Sequence, residues 1–379
     1  MKYKLSNICF YAKGKIDVSD LTKLNYISTE NMLPDKGGIT TASSLPGTAQ
    51  TPAYQQNDVL VSNIRPYFRK IWFADCNGGC SNDVLVFRAK EDTDARFLYY
   101  VLANDAFFDY STATSKGTKM PRGDKIAIMQ YEVPHFDLPT QKKIAEILGN
   151  IDDKIALNNE INKNLEQQAQ SLFRNFYGFL LGQTCDLSEV IDIRDGTHES
   201  PKATDSGYPL VTSKHLLPFG VDVSSANIIS KSDYTKINKR SKVDPGDILI
   251  SMIGTVGLIS YVIDSPVKFA IKNVGLLKTS QCPSLALYIL YYLKSNFAKQ
   301  HIEKCLAGST QKYISLGELR KLPIIIPLKK ELDDYNLIVR SIVSEIVLLV
   351  EENKRLSNVR DTLLPKLMSG EIDVSDIDL

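Results

Sequence analysis

The chain has 379 residues, 43% hydrophobic and 23% charged, with a net charge of +1 at pH 7. These values are ordinary for globular protein and allow two to four domains. No apolar run approaches the roughly 20 residues of a membrane span, so no membrane-spanning helix is expected, and so near-neutral a balance does not by itself establish nucleic-acid binding.

The N-terminus, Met1 to Asn7, is followed by no long apolar run or cleavage site, so secretion is not expected. The six cysteines are scattered, and only Cys76 and Cys80 are close. A chain this long needs no disulfide frame, so reduced thiols and a cytoplasmic location are expected.

Residues 1–138 read as a first globular segment, with 16 Lys/Arg against 15 Asp/Glu. Asp58-Val-Leu-Val-Ser62 and Asp83-Val-Leu-Val-Phe87 are short β-rich runs bounded by turn residues. Lys36-Gly-Gly-Ile39 and Asn77-Gly-Gly-Cys80 supply turns. Phe97-Leu-Tyr-Tyr-Val-Leu102 opens a helix. Ser115 to Lys125 follows as a polar, basic loop with two glycines, suited to contact phosphates or simply to be a solvated loop.

Pro139-Thr-Gln-Lys-Lys143 starts a long helix over 139–180. Leu148, Ile151, Ile155, Leu165, Ala169, Leu172 and Phe176 follow the alternating spacing of a coiled-coil seam. The polar Asn158 and Asn162 interrupt it. At 1.5 Å per residue, some 33 residues make a rod of roughly 50 Å.

Residues 181–326, with 17 Lys/Arg against 13 Asp/Glu, repeat the first segment loosely. Gly246-Asp-Ile-Leu-Ile-Ser-Met-Ile253 matches Asn57-Asp-Val-Leu-Val-Ser-Asn-Ile64 at an offset of 189. Leu290-Tyr-Tyr292 matches Leu98-Tyr-Tyr100, and Gly308 to Tyr313 takes the place of Lys116 to Met120. The last segment, 327–379, carries 7 Lys/Arg against 11 Asp/Glu. It holds a second long helix with a seam of Val339, Ile342, Ile346, Leu349, Leu356, Leu363 and Leu367, interrupted by Asn353 and Arg360. Pro365 is expected to kink or end that helix, and the acidic tail from Gly370 to be loosely held.

The two helices repeat each other at an offset of 191. Ile151, Ile155, Leu157, Glu160, Asn162, Lys163, Leu165 and Leu172 fall on Ile342, Ile346, Leu348, Glu351, Asn353, Lys354, Leu356 and Leu363. A fixed offset held for more than twenty residues is the mark of tandem duplication. The alternative is two unrelated amphipathic helices in separate domains. Duplicates pack most simply about a pseudo-twofold axis, with the rods antiparallel and the globular segments at opposite ends. The expected class is therefore α+β: two similar globular domains separated by two long antiparallel coiled-coil helices.

No catalytic constellation emerges. There is no GxxxxGK[ST] phosphate loop, no GxGxxG and no HExxH. There is no Asn/Asp-Pro-Pro-aromatic motif of an adenine methyltransferase. Cys76 and Cys80 make one C-x3-C with no second pair, so no metal is expected. Asp195-Gly-Thr-His198 reads as a polar turn or a base-contacting loop.

Leu138 to Leu148, followed by Ile151-Asp-Asp-Lys-Ile155, resembles the central conserved region of type I restriction–modification specificity subunits. Leu363-Leu-Pro-Lys-Leu-Met-Ser-Gly-Glu-Ile372 resembles their C-terminal conserved region. Asp195 to Pro201, Tyr208 to Lys214, Lys239 to Lys242 with Gly246 to Leu249, and Gly308 to Lys312 resemble a target recognition domain. Lys329-Lys-Glu331 departs from the acidic-Gln pair more usual there. The resemblance covers essentially the whole chain.

It implies two target recognition domains that each read one half of a bipartite double-stranded DNA target. The helix pair would set the spacer and dock two modification (methyltransferase) subunits. S-adenosylmethionine would belong to those partners, and ATP and Mg to restriction/motor subunits; this chain would hold no cofactor and no active site. Candidate DNA contacts are Arg65, Lys116, Thr118, Lys119, Arg122 and Lys125 in the first domain. In the second they are Thr197, His198, Lys214, His215, Lys239, Arg240, Lys272, Asn273, Ser309, Gln311 and Lys312. A coiled-coil scaffold without DNA, and a stand-alone restriction or methylation enzyme, are the competing readings.

Overall fold

The structure, a computed structural model, describes residues 2–308, 311–374 and 377. It divides into two compact units. The first is Met1–Ala156 with Lys354–Leu379, and the second is Leu157–Asn353.

The first unit is built on a four-stranded antiparallel sheet in the order Cys9–Tyr11, Val84–Ala89, Val59–Ser62, Ile71–Phe73. Its central strands are Val/Leu runs with no polar alternation, because both faces are covered. Val59, Val61, Leu85 and Phe87 face one core, shared with Phe97, Leu98, Tyr100 and Val101 of helix Ala95–Ala103. Leu60, Val84 and Val86 face the other, against Ile27, Met32 and Tyr54.

The second unit repeats this plan. Its sheet runs Ile193–Asp195, Val274–Leu277, Ile248–Ser251, Ile259–Tyr261. Ile248, Ile250 and Leu277 face a core that includes helix Pro283–Lys294. Leu249, Val274 and Leu276 face the opposite one. The copying extends to register. Val59↔Phe87 and Val61↔Leu85 in one sheet correspond to Ile248↔Leu277 and Ile250↔Gly275 in the other. A one-residue slip in either would turn each side chain to the wrong core.

The turn entering each central strand is duplicated as well. Asn57 (φ 71°) and Gly246 (φ 85°) both adopt the left-handed conformation, which Asn and Gly tolerate best. Asp58 and Asp247 follow, both buried. Asp58 accepts two bonds of 2.7 Å from the Arg88 guanidinium. Asp247 takes Lys278 Nζ at 2.5 Å. Each also closes its own turn, accepting the amide of Gln55 or of Asp244 at 2.7 Å. The anion is kept and the cation exchanged between the copies.

The long helices run Leu138–Phe179 and Lys329–Ser369, each several residues longer than its seam. Within the second unit they are antiparallel. Asn158 Nδ2 donates to Asn353 Oδ1 at 2.9 Å, and Phe176 stacks on Tyr335 with centroids 4.7 Å apart. Asn158 is fully buried and also donates to Glu352 at 2.7 Å, which makes a polar layer. Val339, Ile346, Leu349, Ala169 and Phe173 are buried in this unit, whereas Leu165, Leu172, Phe176 and Ile342 are half-buried. Within the first unit, Arg360 pairs with Asp152 at 2.9 Å, and Leu148 packs in one cluster with Leu364 and Leu367. Ile151, Ile155, Leu356 and Leu363 are half-buried there.

Of the two outcomes expected at Pro365, a kink or an end, the end does not occur, since the helix continues to Ser369. The bond that proline forgoes belongs to the carbonyl of Asp361, an exposed residue that water can serve. The acidic tail is not loose as far as Val374, which is buried in the core of the first unit beside half-buried Ile372.

Candidate nucleic-acid interface

In the second unit three chain segments leave the sheet at one end. Strand Ile193–Asp195 runs into Gly196-Thr197-His198, and Ile248–Ser251 runs into Met252-Ile253-Gly254. Strand Val274–Leu277 begins after Lys272-Asn273. The pairings Asp195↔Gly275, Ile250↔Gly275 and Ser251↔Val274 place these ends side by side. Bridges Ile253↔Tyr313 and Ala307↔Tyr313 bring Ala307 and Tyr313 to the same end. The Gly254 amide donates to the Lys312 carbonyl at 3.0 Å.

The sheet end thus gathers Thr197, His198, Lys272, Asn273, Gln311 and Lys312. Thr197 bridges Lys272, and its amide donates to the Ile271 carbonyl at 3.0 Å. Gly196 makes this approach possible, since a Cβ there would lie 2.4 Å from the Ile271 oxygen. His198 has Asn273 Oδ1 2.8 Å from Nδ1 and Asp195 Oδ2 2.9 Å from Nε2. Arg240 bonds the other oxygen of Asp195. Arg240 closes helix Lys231–Ser241, whose last turn is held by Arg194 donating to the Arg240 carbonyl at 3.2 Å. Lys272 Nζ lies 2.5 Å from Ser200 Oγ.

The other candidates in this unit fall elsewhere. Lys239 is exposed on the Arg240 helix and lines a shallow basic cleft with Lys231 and Lys236. Lys214 is exposed, its ammonium 3.5 Å from the Ser225 carbonyl. Ser309 lies outside the described residues. His215 corrects the sequence reading. It is buried, and its Nδ1 accepts the Thr212 amide at 2.9 Å, closing a turn. Burial, then the Lys214 charge, lower its pKa. A neutral, enclosed ring cannot reach a nucleic acid.

The same end of the first unit's sheet repeats the arrangement. Strand Val59–Ser62 runs into Asn63-Ile64-Arg65. Ile64↔Arg122 and Lys116↔Arg122 are the counterparts of Ile253↔Tyr313 and Ala307↔Tyr313. Gly117 (φ 98°) and Gly308 (φ 92°) hold the same left-handed position at each loop's start. Arg65, itself at φ 49°, donates its amide to the Pro121 carbonyl at 2.8 Å. Arg122 pairs with Asp83 at 3.0 Å. Lys116 pairs with Asp124 at 2.5 Å, and this contact, with the amides of Ala127 and Ile126, holds the Asp124 carboxyl below its usual range. Thr118 and Lys119 are exposed on the loop. Lys125 is exposed in the next short helix, and its carbonyl accepts the Tyr11 hydroxyl at 3.0 Å. Gly123, in contrast, is a packing glycine, where a Cβ would lie 2.9 Å from both Asn63 Oδ1 and Ile128 Cδ1.

Sequence reasoning missed Asn63, which is buried at this edge and whose Oδ1 has no hydrogen-bond partner among the described residues. It also missed Arg194 and the joining of Asp195 to Arg240. Forty-five residues separate that pair, and no local motif links them. In chemical terms the two edges offer guanidinium, ammonium, imidazole, carboxamide and hydroxyl groups on loops seated on rigid sheets. This inventory suits hydrogen bonding to base edges and phosphates.

Residues 1–167 and 183–342 match the family described as the type I restriction modification DNA specificity domain. The chain belongs to that family. Among curated members, the type I restriction enzyme HindI specificity subunit of Haemophilus influenzae is 24% identical, over 98% of this chain and 99% of its own. The MjaIX specificity subunit of Methanocaldococcus jannaschii is 24% identical over 76% and 71%. The solved S subunit of a type I restriction–modification system from M. genitalium superposes with a TM-score of 0.56. It is 16% identical and covers 97% of this chain and 96% of its own; that likeness bears on the fold alone. Among the described residues, no helix of this family member is long and apolar enough to cross a membrane.

Proposed function

We propose that this chain is the sequence-specificity subunit of a type I restriction–modification complex and carries out no chemistry itself. Each unit reads one half of a bipartite DNA target through the loops at its sheet end. The observation that carries this is the duplicated edge: two sheets of matching register, each ending in a left-handed-glycine loop beside Lys, Arg, Asn or His side chains. Phosphate contacts by Lys and Arg supply salt-dependent affinity, and fixed polar groups supply base preference.

In this reading the helix pair sets the length of the unspecified spacer. It also docks two methyltransferase subunits that hold S-adenosylmethionine and modify adenine. Motor and nuclease subunits using ATP and Mg complete a cytoplasmic complex. Half-sites one turn apart on one face of DNA are about 34–36 Å apart, a span that long helices can bridge.

The test inserts one helical turn into both long helices in step, after Ala156 and before Lys354. With cognate modification subunits present, the methylated motif should keep both half-sites and gain spacer length. An unchanged spacer refutes the measuring role. The rival scaffold reading predicts no selection of any sequence from a pool of random duplexes by the assembled complex.

A further inference from the structure

Asp195 is nearly buried at the sheet end of the second unit, its side chain 6% exposed. One carboxylate oxygen holds Arg240 and the other lies 2.9 Å from His198 Nε2. Both of those side chains are about two-thirds exposed, at 65% and 64%. A buried anion behind two exposed donor groups does little to cover apolar surface. What it does is fix their directions.

Both partners are anchored a second time. Asn273 meets the far nitrogen of His198, and Arg194 grips the helix end that carries Arg240. Asn273 itself sits in the left-handed conformation at φ 54°, with its amide on the Thr197 carbonyl at 3.1 Å. The first unit lacks the device. Tyr11↔Phe87 corresponds to Ile193↔Leu277, so two residues further on Lys13 occupies the place of Asp195.

We propose that Asp195 is a positioning residue for base readout by the second unit, holding Arg240 in a fixed plane so that it selects a guanine. This rests on the proposed reading that this sheet end meets DNA. Guanine presents two adjacent acceptors, O6 and N7, which match two parallel N–H groups of one guanidinium. That match requires a set angle. A phosphate contact does not, and a freely swinging arginine would serve it as well. With one terminal nitrogen bound to Asp195 and the side chain two-thirds exposed, the other terminal nitrogen and Nε are left to meet the base.

The test expresses D195N, D195A, R240A and the D195A/R240A pair, each with cognate modification subunits, in cells without other adenine methylation. Methylated sites are then mapped across the genome. The expected result is that D195A and R240A relax the same G·C position in one half of the motif, by about tenfold in preference. The other half and the spacer stay unchanged, and the double variant is no more relaxed than R240A.

A loss of methylation that is even across all bases, with preference intact in D195A and D195N, would show a merely structural aspartate and overturn the proposal. Should D195A not fold, D195N decides, since it keeps the shape and one acceptor oxygen. If R240A also keeps the full motif, the placement of this edge on DNA fails together with the proposal. Relaxation by R240A without relaxation by either Asp195 variant defeats the positioning role alone.

Discussion

Replacing Lys278 with methionine tests how the second unit is held together. The ammonium reaches Asp247 at 2.5 Å, Asp244 at 2.8 Å and the Lys242 carbonyl at 3.1 Å, with the lysine side chain only 3% exposed. Methionine keeps most of the stem volume, so packing changes little. The loss is electrostatic. Asp247 remains fully buried, and among the described residues the amides of Asp244 and Ser280 are its remaining side-chain partners. Stranding a buried charge in this way costs about 3–5 kcal/mol. For a unit of this size that is a fall in melting temperature on the order of 6–20 °C.

Urea unfolding followed by hydrogen exchange of peptides from each unit reads the effect. Peptides from 157–353 should lose protection at lower urea, and those from 1–156 should not. Lys278→Arg should recover much of the loss, because Arg88 serves Asp58 in the first unit. Removing the carboxylate as well, by Asp247→Asn in the methionine background, should also recover part of it. A loss below about 1 kcal/mol for the single variant would refute the claim that this buried anion depends on its cation.

Acidification should weaken the second unit in two stages. The His215 pKa is lowered in the folded state, so its contribution is complete above the ordinary value of about 6.5 and is lost as the pH falls through the lowered one. His215→Ala should abolish the first stage in unfolding titrations between pH 7.5 and 5. Burial alone would raise the Asp244 pKa, but Lys278 and Lys242 hold it below its ordinary value. Its contribution therefore persists to about pH 4 and fades below that. Asn158→Ala deletes two bonds of a polar layer and should lower stability by about 1–3 kcal/mol in the same assay. Gly196→Ala places a Cβ against the Ile271 carbonyl; it should reduce DNA affinity of the assembled complex at least tenfold in a gel shift. Lys119→Ala should weaken binding to all duplexes alike and lower the salt slope by about 1.

What could be read from the residues was whatever the duplication carried twice. The 189-residue offset of Asn57–Ile64 marked the two globular segments as copies of one fold, and the seams marked the long helices as partners, while the register of the sheets came only with the structure. The two-core arrangement was visible only as unbroken apolar runs, since Leu60 and Val61 differ in nothing but the face they take. His215 stood among the candidates because it follows the Tyr208 to Lys214 stretch that resembles a target recognition domain. Its ring instead turns back to close a local turn with Thr212 and is buried there. The Asp195–Arg240 contact joins a strand end to a helix end, and no periodicity encodes it. The helix runs on past Pro365 for a simpler reason. Leu364, Leu367 and Met368 hold the last turn in the core of the first unit, and this packing outweighs one lost backbone bond.

The division of labour within each sheet has an evolutionary consequence. The buried Asp, its cation and the two apolar faces lie along the strands, while the donor-bearing loops hang from one rim. A change in a rim loop leaves the strands undisturbed, so new sequence preferences can arise by drift or exchange of a few exposed residues. Such a chain can acquire a new DNA target and still fold as its ancestor did.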